Sequence, residues 1–463
     1  MTAVESGADQ AAGGARLWIR DPLATFTATD EAAPRGVVVA DGRIVELVGA
    51  EGPRTPVAHT FDAGARVLMP GLVNCHHHFY QTLTRSHPDA IDKALFPWLE
   101  ALYPVWRHLQ PEDVGVATEM ALAELLLSGC TTAADHHYLF PDACPDAVDL
   151  QVAAAQRLGA RVLLTRGSMS LGQSAGGLPP DSVVQTEDAI LADSERVIGR
   201  YHDRGADARV RIALAPCSPF SVTKGLMAAS AELARAHGVL LHTHLAETED
   251  ENAFCLASFG QRPLDYLAEV GWLADDVWLA HGIHFEDGEI ARLGAAGVGI
   301  CHCPSSNMLL GSGTCPVGQL EAAGCGVGLG VDGSASNDAS NMIQEARQAM
   351  LLQKLANGSA AVTARDALRW ATAGGARTLH WPEVGRLAVG ANADLALFDL
   401  EALRFSGVGE PLAGLLNSGA VAARDVMVGG HWRVRDGALV DVDVAELRAR
   451  HEASARRLRA AVA

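Results

Sequence analysis

The chain has 463 residues, 49% hydrophobic and 20% charged, enough to bury a large core and ordinary for a globular protein. Its 36 Lys and Arg against 55 Asp and Glu leave a formal charge of −19, which argues against nucleic acid or an anionic membrane as partner, since both demand basic patches. No apolar run reaches the roughly 18–20 residues of a membrane span, and nine cysteines without a repeating spacing read as reduced thiols of a cytoplasmic protein.

Residues 1–14 are Gly/Ala-rich and acidic, without the basic and apolar segments of a signal peptide, and read as a disordered tail. From residue 15 apolar residues alternate between turns, and Asp41-Gly42 between two apolar runs signals a hairpin. Residues 393–398 and 426–434 repeat that pattern, with Gly429-Gly430 where a tight turn is needed. Neither half has enough strands for a sheet of its own. One composite β-sandwich from residues 15–68 and 385–440 is therefore expected.

Between these ends, residues 69–384 switch to short apolar strands separated by amphipathic helical stretches, the pattern of parallel β/α units. Eight strand candidates run in order: 72–78, 131–136, 161–166, 210–216, 239–244, 277–281, 298–302 and 327–332. Helices are expected between them, for example over 111–128 and 145–158, where Pro111 suits a first helical turn. Eight units predict an α/β fold of the (β/α)8 TIM-barrel type, with its site at the C-terminal strand ends. An open doubly wound sheet would need a phosphate-binding glycine fingerprint after the first strand, and the glycines at 324, 326, 328 and 330 do not supply it. Residues 441–463 read as a charged surface helix.

The barrel reading makes a chemical statement. The first strand ends in His76 and His78, which share a face if 72–78 is extended. The fifth ends in His242, His244 and Glu247, the sixth in His281, the eighth in Asp332. A soluble barrel has no structural need for such groups at four strand ends at once, so a metal site is expected. Three histidines and a carboxylate suit Zn2+ or another borderline divalent ion, with a position left for a water whose pKa falls to about 7. Glu247, three residues beyond His244, can lean over such a site as a proton shuttle.

Pro70-Gly71-Leu72-Val73-Asn74-Cys75-His76-His77-His78, His244-Leu245-Ala246-Glu247, His281 and Val331-Asp332-Gly333-Ser334-Ala335-Ser336-Asn337 together resemble the amidohydrolase superfamily, in its cytosine-, guanine- and adenosine-deaminase-like branch. The resemblance spans nearly the whole chain. It implies His76, His78, His244 and Asp332 as ligands of one Zn2+ (or Fe2+), with His242 supporting them and His281 orienting water and substrate. No lysine stands at the end of the fourth strand, at Ala215-Pro216-Cys217, which argues against a two-metal site bridged by a carboxylated lysine. The implied chemistry is hydrolysis of a heterocyclic C–N bond, with Asp332 taking a proton from the attacking water and Glu247 protonating a ring nitrogen.

Within the branch, residues 76–85, 95–99 and 166–170 resemble 8-oxoguanine deaminases, which implies deamination of 8-oxoguanine to urate and ammonia. Triazine hydrolases share part of the last segment and residues 333–337, so s-triazines remain competitors, as do guanine and isocytosine. Gln81, Cys217, Arg166 and Trp106 are placed as substrate contacts, with Trp98 and Tyr103 able to cover a flat ring. Cys301-His302-Cys303-Pro304 lacks a second ligand pair and is set aside as a metal motif, and the His-x-Glu with Pro-Cys-x-x-Cys signature of other zinc deaminases is absent. His136 and His137 end the second strand, and the loop at 172–180 is either a lid or a connection. The partner expected is a small heterocycle, with association into a homo-oligomer. A dead scaffold should have lost a ligand or the acid, and this chain keeps all of them.

Overall fold

A computed structural model describes residues 16–462; the tail expected at 1–14 lies outside them. Asp41 and Gly42 both take positive φ, 49° and 76°, as a primed hairpin turn requires, and join Gly36–Ala40 to Arg43–Leu47. Gly429 and Gly430, at 55° and 80°, do the same between Asp425–Val428 and His431–Arg435. The first hairpin lies in a four-stranded sheet built within residues 17–62. The second lies in a six-stranded sheet where Leu395–Asp399 pairs antiparallel with Arg66–Pro70, so both chain ends enter it. Ile19, Val37 and Ile44 of one sheet share a core with Leu68, Leu395 and Met427 of the other.

Gly71 carries the chain from that sheet into a closed barrel of eight parallel strands: Leu72–Asn74, Cys130–His137, Arg161–Ser168, Val210–Pro216, Leu241–Leu245, Val277–His281, Gly299–His302 and Gly326–Leu329. The last closes on the first through Leu329 and Asn74. All eight expected strands form, but two end early. The first stops at Asn74, so His76 and His78 stand on irregular chain beyond it, and strand alternation does not place them. The eighth stops at Leu329, and Asp332 sits past it with φ 62°. At this mouth the ladder loosens into cross-links between strand ends, such as Val331 N to Asn74 Oδ1 at 2.9 Å and Asp332 N to His76 O at 3.1 Å.

The opposite end of the barrel is plugged by Trp381, with the guanidinium of Arg211 over its ring at 4.2 Å and that of Arg161 at 5.6 Å. Arg161 also forms a buried two-point pair with Asp394, at 3.0 and 3.2 Å, next to the strand that begins at Leu395. That pair ties the barrel floor to the six-stranded sheet. The expected helices appear at Pro111–Leu127 and Ala147–Leu158. The C-terminal helix, Val444–Ala460, is not free on the surface along its whole face: Leu447, His451 and Leu458 are buried, and Arg450 pairs with Glu119 at 2.6 Å. No described helix is long and apolar enough to cross a membrane, and all nine cysteines carry free, buried thiols.

Candidate active site

The hydrogen bonds at the barrel mouth settle which ring nitrogen of each histidine is bare. His78 Nδ1 lies 2.7 Å from the carbonyl of His136, and His244 Nδ1 lies 2.7 Å from that of Cys217. A carbonyl only accepts, so both Nδ1 atoms carry the proton and both Nε2 atoms are lone pairs. His242 Nδ1 donates likewise to the Trp278 carbonyl at 2.8 Å. Its Nε2 must then accept, and the donor is His76 Nδ1 at 2.8 Å, which bares His76 Nε2. Those three Nε2 atoms converge. His78 and His244 face each other at 3.2 Å, and Asp332 Oδ1 is 3.2 Å from His76 Nε2 and 3.3 Å from His78 Nε2. His76 Nε2 is buried without a hydrogen-bond partner. Burial keeps His76 and His244 below the ordinary imidazole range, hence neutral and able to ligate. Lone pairs and a carboxylate gathered around one point, with no donor among them, are the donor chemistry of a divalent metal.

Beside this cluster His281, in the left-handed region at φ 72°, has its Nδ1 2.9 Å from Asn307 Nδ2. The amide donates there, so Nε2–H faces Glu247 Oε2 at 3.4 Å and Asp332 Oδ2 at 4.0 Å. Burial, and then the carboxylates of Asp332 and Glu251, hold the Glu247 carboxyl well above the usual range. The same surroundings favour the protonated form of Glu247. Its loop is fixed by Glu251, which accepts from the backbone N–H of Ala246 at 2.9 Å and of Glu247 at 3.2 Å.

Over these groups lies a pocket with His78, His244, Glu247, His281 and Asp332 on its floor. Gln81 and Cys217 line it. Gln81 Oε1 is buried and unpartnered, and its side chain fits because Gly333 has no Cβ; one there would lie 1.9 Å from that oxygen. Arg166 and Trp106 do not line the pocket, which corrects two of the expected contacts. Arg166 shares strand parity with Val162 and Leu164, which pack outward into the helical layer, and its guanidinium bonds Asp193 at 2.5 Å and Gln185 at 2.8 Å. Trp106 spends its indole N–H on Thr84 Oγ1 at 3.1 Å. Trp98, Leu99, Tyr103 and Ser336 do line the pocket, along with Tyr138, Phe220 and Leu310, which the sequence did not single out. His136 turns inward, its ring stacked on His244 at 4.6 Å, and donates from Nε2 to Ala215 O at 2.9 Å. His137 bonds the carbonyl of Leu139, and both ring nitrogens of His302 are buried without partners. The 172–180 loop braces the pocket wall, Leu178 N donating to Phe220 O at 3.0 Å.

The model of the amidohydrolase family matches residues 67–433, most of the chain. The chain belongs to that family. It is 62% identical over 441 residues to an 8-oxoguanine deaminase of Pseudomonas aeruginosa, covering 95% of this chain and 98% of the relative. An atrazine chlorohydrolase from Arthrobacter aurescens TC1, solved with zinc, superposes with a TM-score of 0.88 at 32% identity, covering 95% of this chain and all of that one. An adenosine deaminase from Xanthomonas campestris with bound zinc gives 0.86 at 30% identity, covering 96% and 99%.

In this amidohydrolase the bare nitrogens and the carboxylate fit one Zn2+. His242 stands beneath them, stacked on Trp278 with ring centroids 4.2 Å apart, and sets the tautomer of His76. Replacing it with Phe keeps the stack and removes the acceptor. We expect the zinc affinity of His242→Phe to fall about 10–100-fold in chelator competition, with the fold retained. An unchanged affinity would show that His242 merely fills space.

Proposed function

We propose that the protein hydrolyses 8-oxoguanine to urate and ammonia, with His76, His78, His244 and Asp332 holding one Zn2+. The observation that carries the substrate is the 62% identity, across 95% of the chain, to an 8-oxoguanine deaminase. The geometry supports the reaction. When bound, the zinc acts as a Lewis acid and makes water nucleophilic near neutral pH.

This chain's own residues do the rest. Asp332 Oδ1 faces the histidine nitrogens, which leaves Oδ2, on the His281 side, to take a proton from the attacking water. His281 Nε2–H points into the same space and holds that water against the amidine carbon. Glu247 gives its proton to the ring nitrogen beside that carbon, so charge does not build up on the ring as the C–O bond forms. The proton held by Asp332 then passes to the amino group, the C–N bond breaks and ammonia leaves, and the proton remaining on the added hydroxyl returns to Glu247 as the carbonyl forms. Burial pushes the Cys217 thiol up to about 12, so it meets the substrate as neutral S–H. Gln81 can both donate to and accept from a purine edge. Free thiols throughout support a reducing, cytoplasmic setting.

The test is ammonia release by zinc-loaded protein from 8-oxoguanine, guanine, isocytosine, cytosine, adenine and amino-triazines. We expect 8-oxoguanine to be turned over well ahead of guanine. Turnover of triazines alone would remove the substrate while leaving the metal chemistry in place.

A further inference from the structure

The helix Leu95–Trp106 roofs the pocket, and Leu95, Trp98, Leu99 and Tyr103 turn one face into it, at the spacing of a single helical stripe. That face is almost wholly apolar in character. Trp98 commits its indole N–H to Ala335 O at 3.3 Å, and the leucines have nothing to offer. Tyr103 differs. Its side chain is 1% exposed, and its hydroxyl is buried with no hydrogen-bond partner. An unpaired buried hydroxyl costs free energy that the fold alone does not return. Tyr138 and Cys217 line the pocket with it. The Tyr138 ring lies 5.2 Å from that of His78. Burial holds both phenols well above their ordinary range, so each is a neutral hydroxyl able to donate or accept.

We propose that Tyr103 is a specificity-determining residue whose hydroxyl pairs with the edge of the heterocycle remote from the reacting carbon. This rests on the deamination proposed above. If C2 of 8-oxoguanine sits at Glu247 and Asp332, the far end of the fused ring carries the C8 oxygen flanked by N–H groups. Guanine presents a C–H at C8, which can neither donate to nor accept from a phenol. Binding guanine would seal the hydroxyl away from water still unpaired, and a site built to hydrogen-bond a substrate group rejects the analogue that lacks it.

Tyr103→Phe tests this on the full-length, zinc-loaded protein. We expect kcat/KM for 8-oxoguanine to fall about tenfold to a hundredfold through KM, with guanine changed far less, so that the preference collapses. The products give the same readout without chemistry: the inhibition constant of urate should rise in the variant while that of xanthine, which lacks the C8 oxygen, should not. Zinc content should match wild type, and the thermal midpoint should stay level or rise, because the lost hydroxyl had no partner. A midpoint that falls with an unchanged 8-oxoguanine-to-guanine ratio would make Tyr103 a packing residue and overturn the assignment. If wild type ignores 8-oxoguanine but deaminates another ring of the panel, the proposed reaction fails by itself. Tyr103 is then judged by the KM of that ring, and an unchanged KM in Tyr103→Phe would overturn it too.

Discussion

Glu247→Gln is expected to lower kcat by about 10³-fold while leaving zinc content at the wild-type level. The amide is nearly isosteric with the carboxylic acid. It can still take the approach of Ser312 Oγ, 3.5 Å from Oε1, and lie against His281 Nε2. The supports of the loop are backbone N–H groups bonded to Glu251, which the substitution does not touch. What disappears is the transferable proton. Stability should move the other way. A carboxyl whose native pKa is raised binds its proton more tightly in the folded protein, so its favourable contribution is present at acid pH and lost as pH rises through the raised value. The amide has no such loss. The variant should match wild type in thermal midpoint at acid pH and exceed it at alkaline pH. Near-normal turnover would remove Glu247 from the acid role, and loss of zinc together with turnover would make it a structural support.

The sequence announced the barrel because eight short apolar runs alternate with amphipathic helical stretches, and the flanking sheets because both hairpin turns carry residues that accept positive φ. The chemical groups were legible as well: His76, His78, His244, Glu247, His281 and Asp332 sit at strand ends, where a soluble barrel gains nothing from them. Side-chain direction was harder. Arg166 was misplaced by proximity to a strand end, although the strand's own parity sets it with Val162 and Leu164, away from interior Leu163. Trp106 continues the stripe of Leu99 and Tyr103 but lies one turn past the pocket, where its indole N–H is bonded to Thr84. Asn307 gave no signal. It lies on the short helix Pro304–Leu309 after the seventh strand and acts through His281, a contact made across 26 residues of chain. His242 was legible as a partner of the ligand set, but its task depends on the Trp278 carbonyl, and nothing in a sequence shows where a carbonyl points.

Metal removal should affect both rate and fold. Chelation to verified metal-free protein should abolish deamination and lower the thermal midpoint by several degrees, and one equivalent of Zn2+ should restore both. The stability effect follows from the same hydrogen bonds that define the site. Three lone pairs and a carboxylate face one another within 3.3 Å across the pairs measured, and every Nδ1 that might have relieved them is committed elsewhere. Protonating an imidazole would supply a cation, but burial resists it at His76 and His244. A ligand that binds the folded protein alone stabilises it by about 4 kcal/mol at a thousand times its Kd, which is the scale on which this cluster should respond. The pH dependence has a definite sign. Histidines depressed below the ordinary imidazole value of about 6.5 in the folded state take up protons later than in the unfolded chain, so stability is lost as pH falls below it. Zinc release should accelerate in the same direction, since ligands must be unprotonated to bind. Asp332→Asn should reproduce the loss of turnover without chelator, because the amide neither balances the charge of a divalent ion nor accepts a proton from water. Metal-free protein that keeps its midpoint would mean the cluster is relieved by some other cation. Metal-free protein that keeps its rate would remove zinc from the reaction.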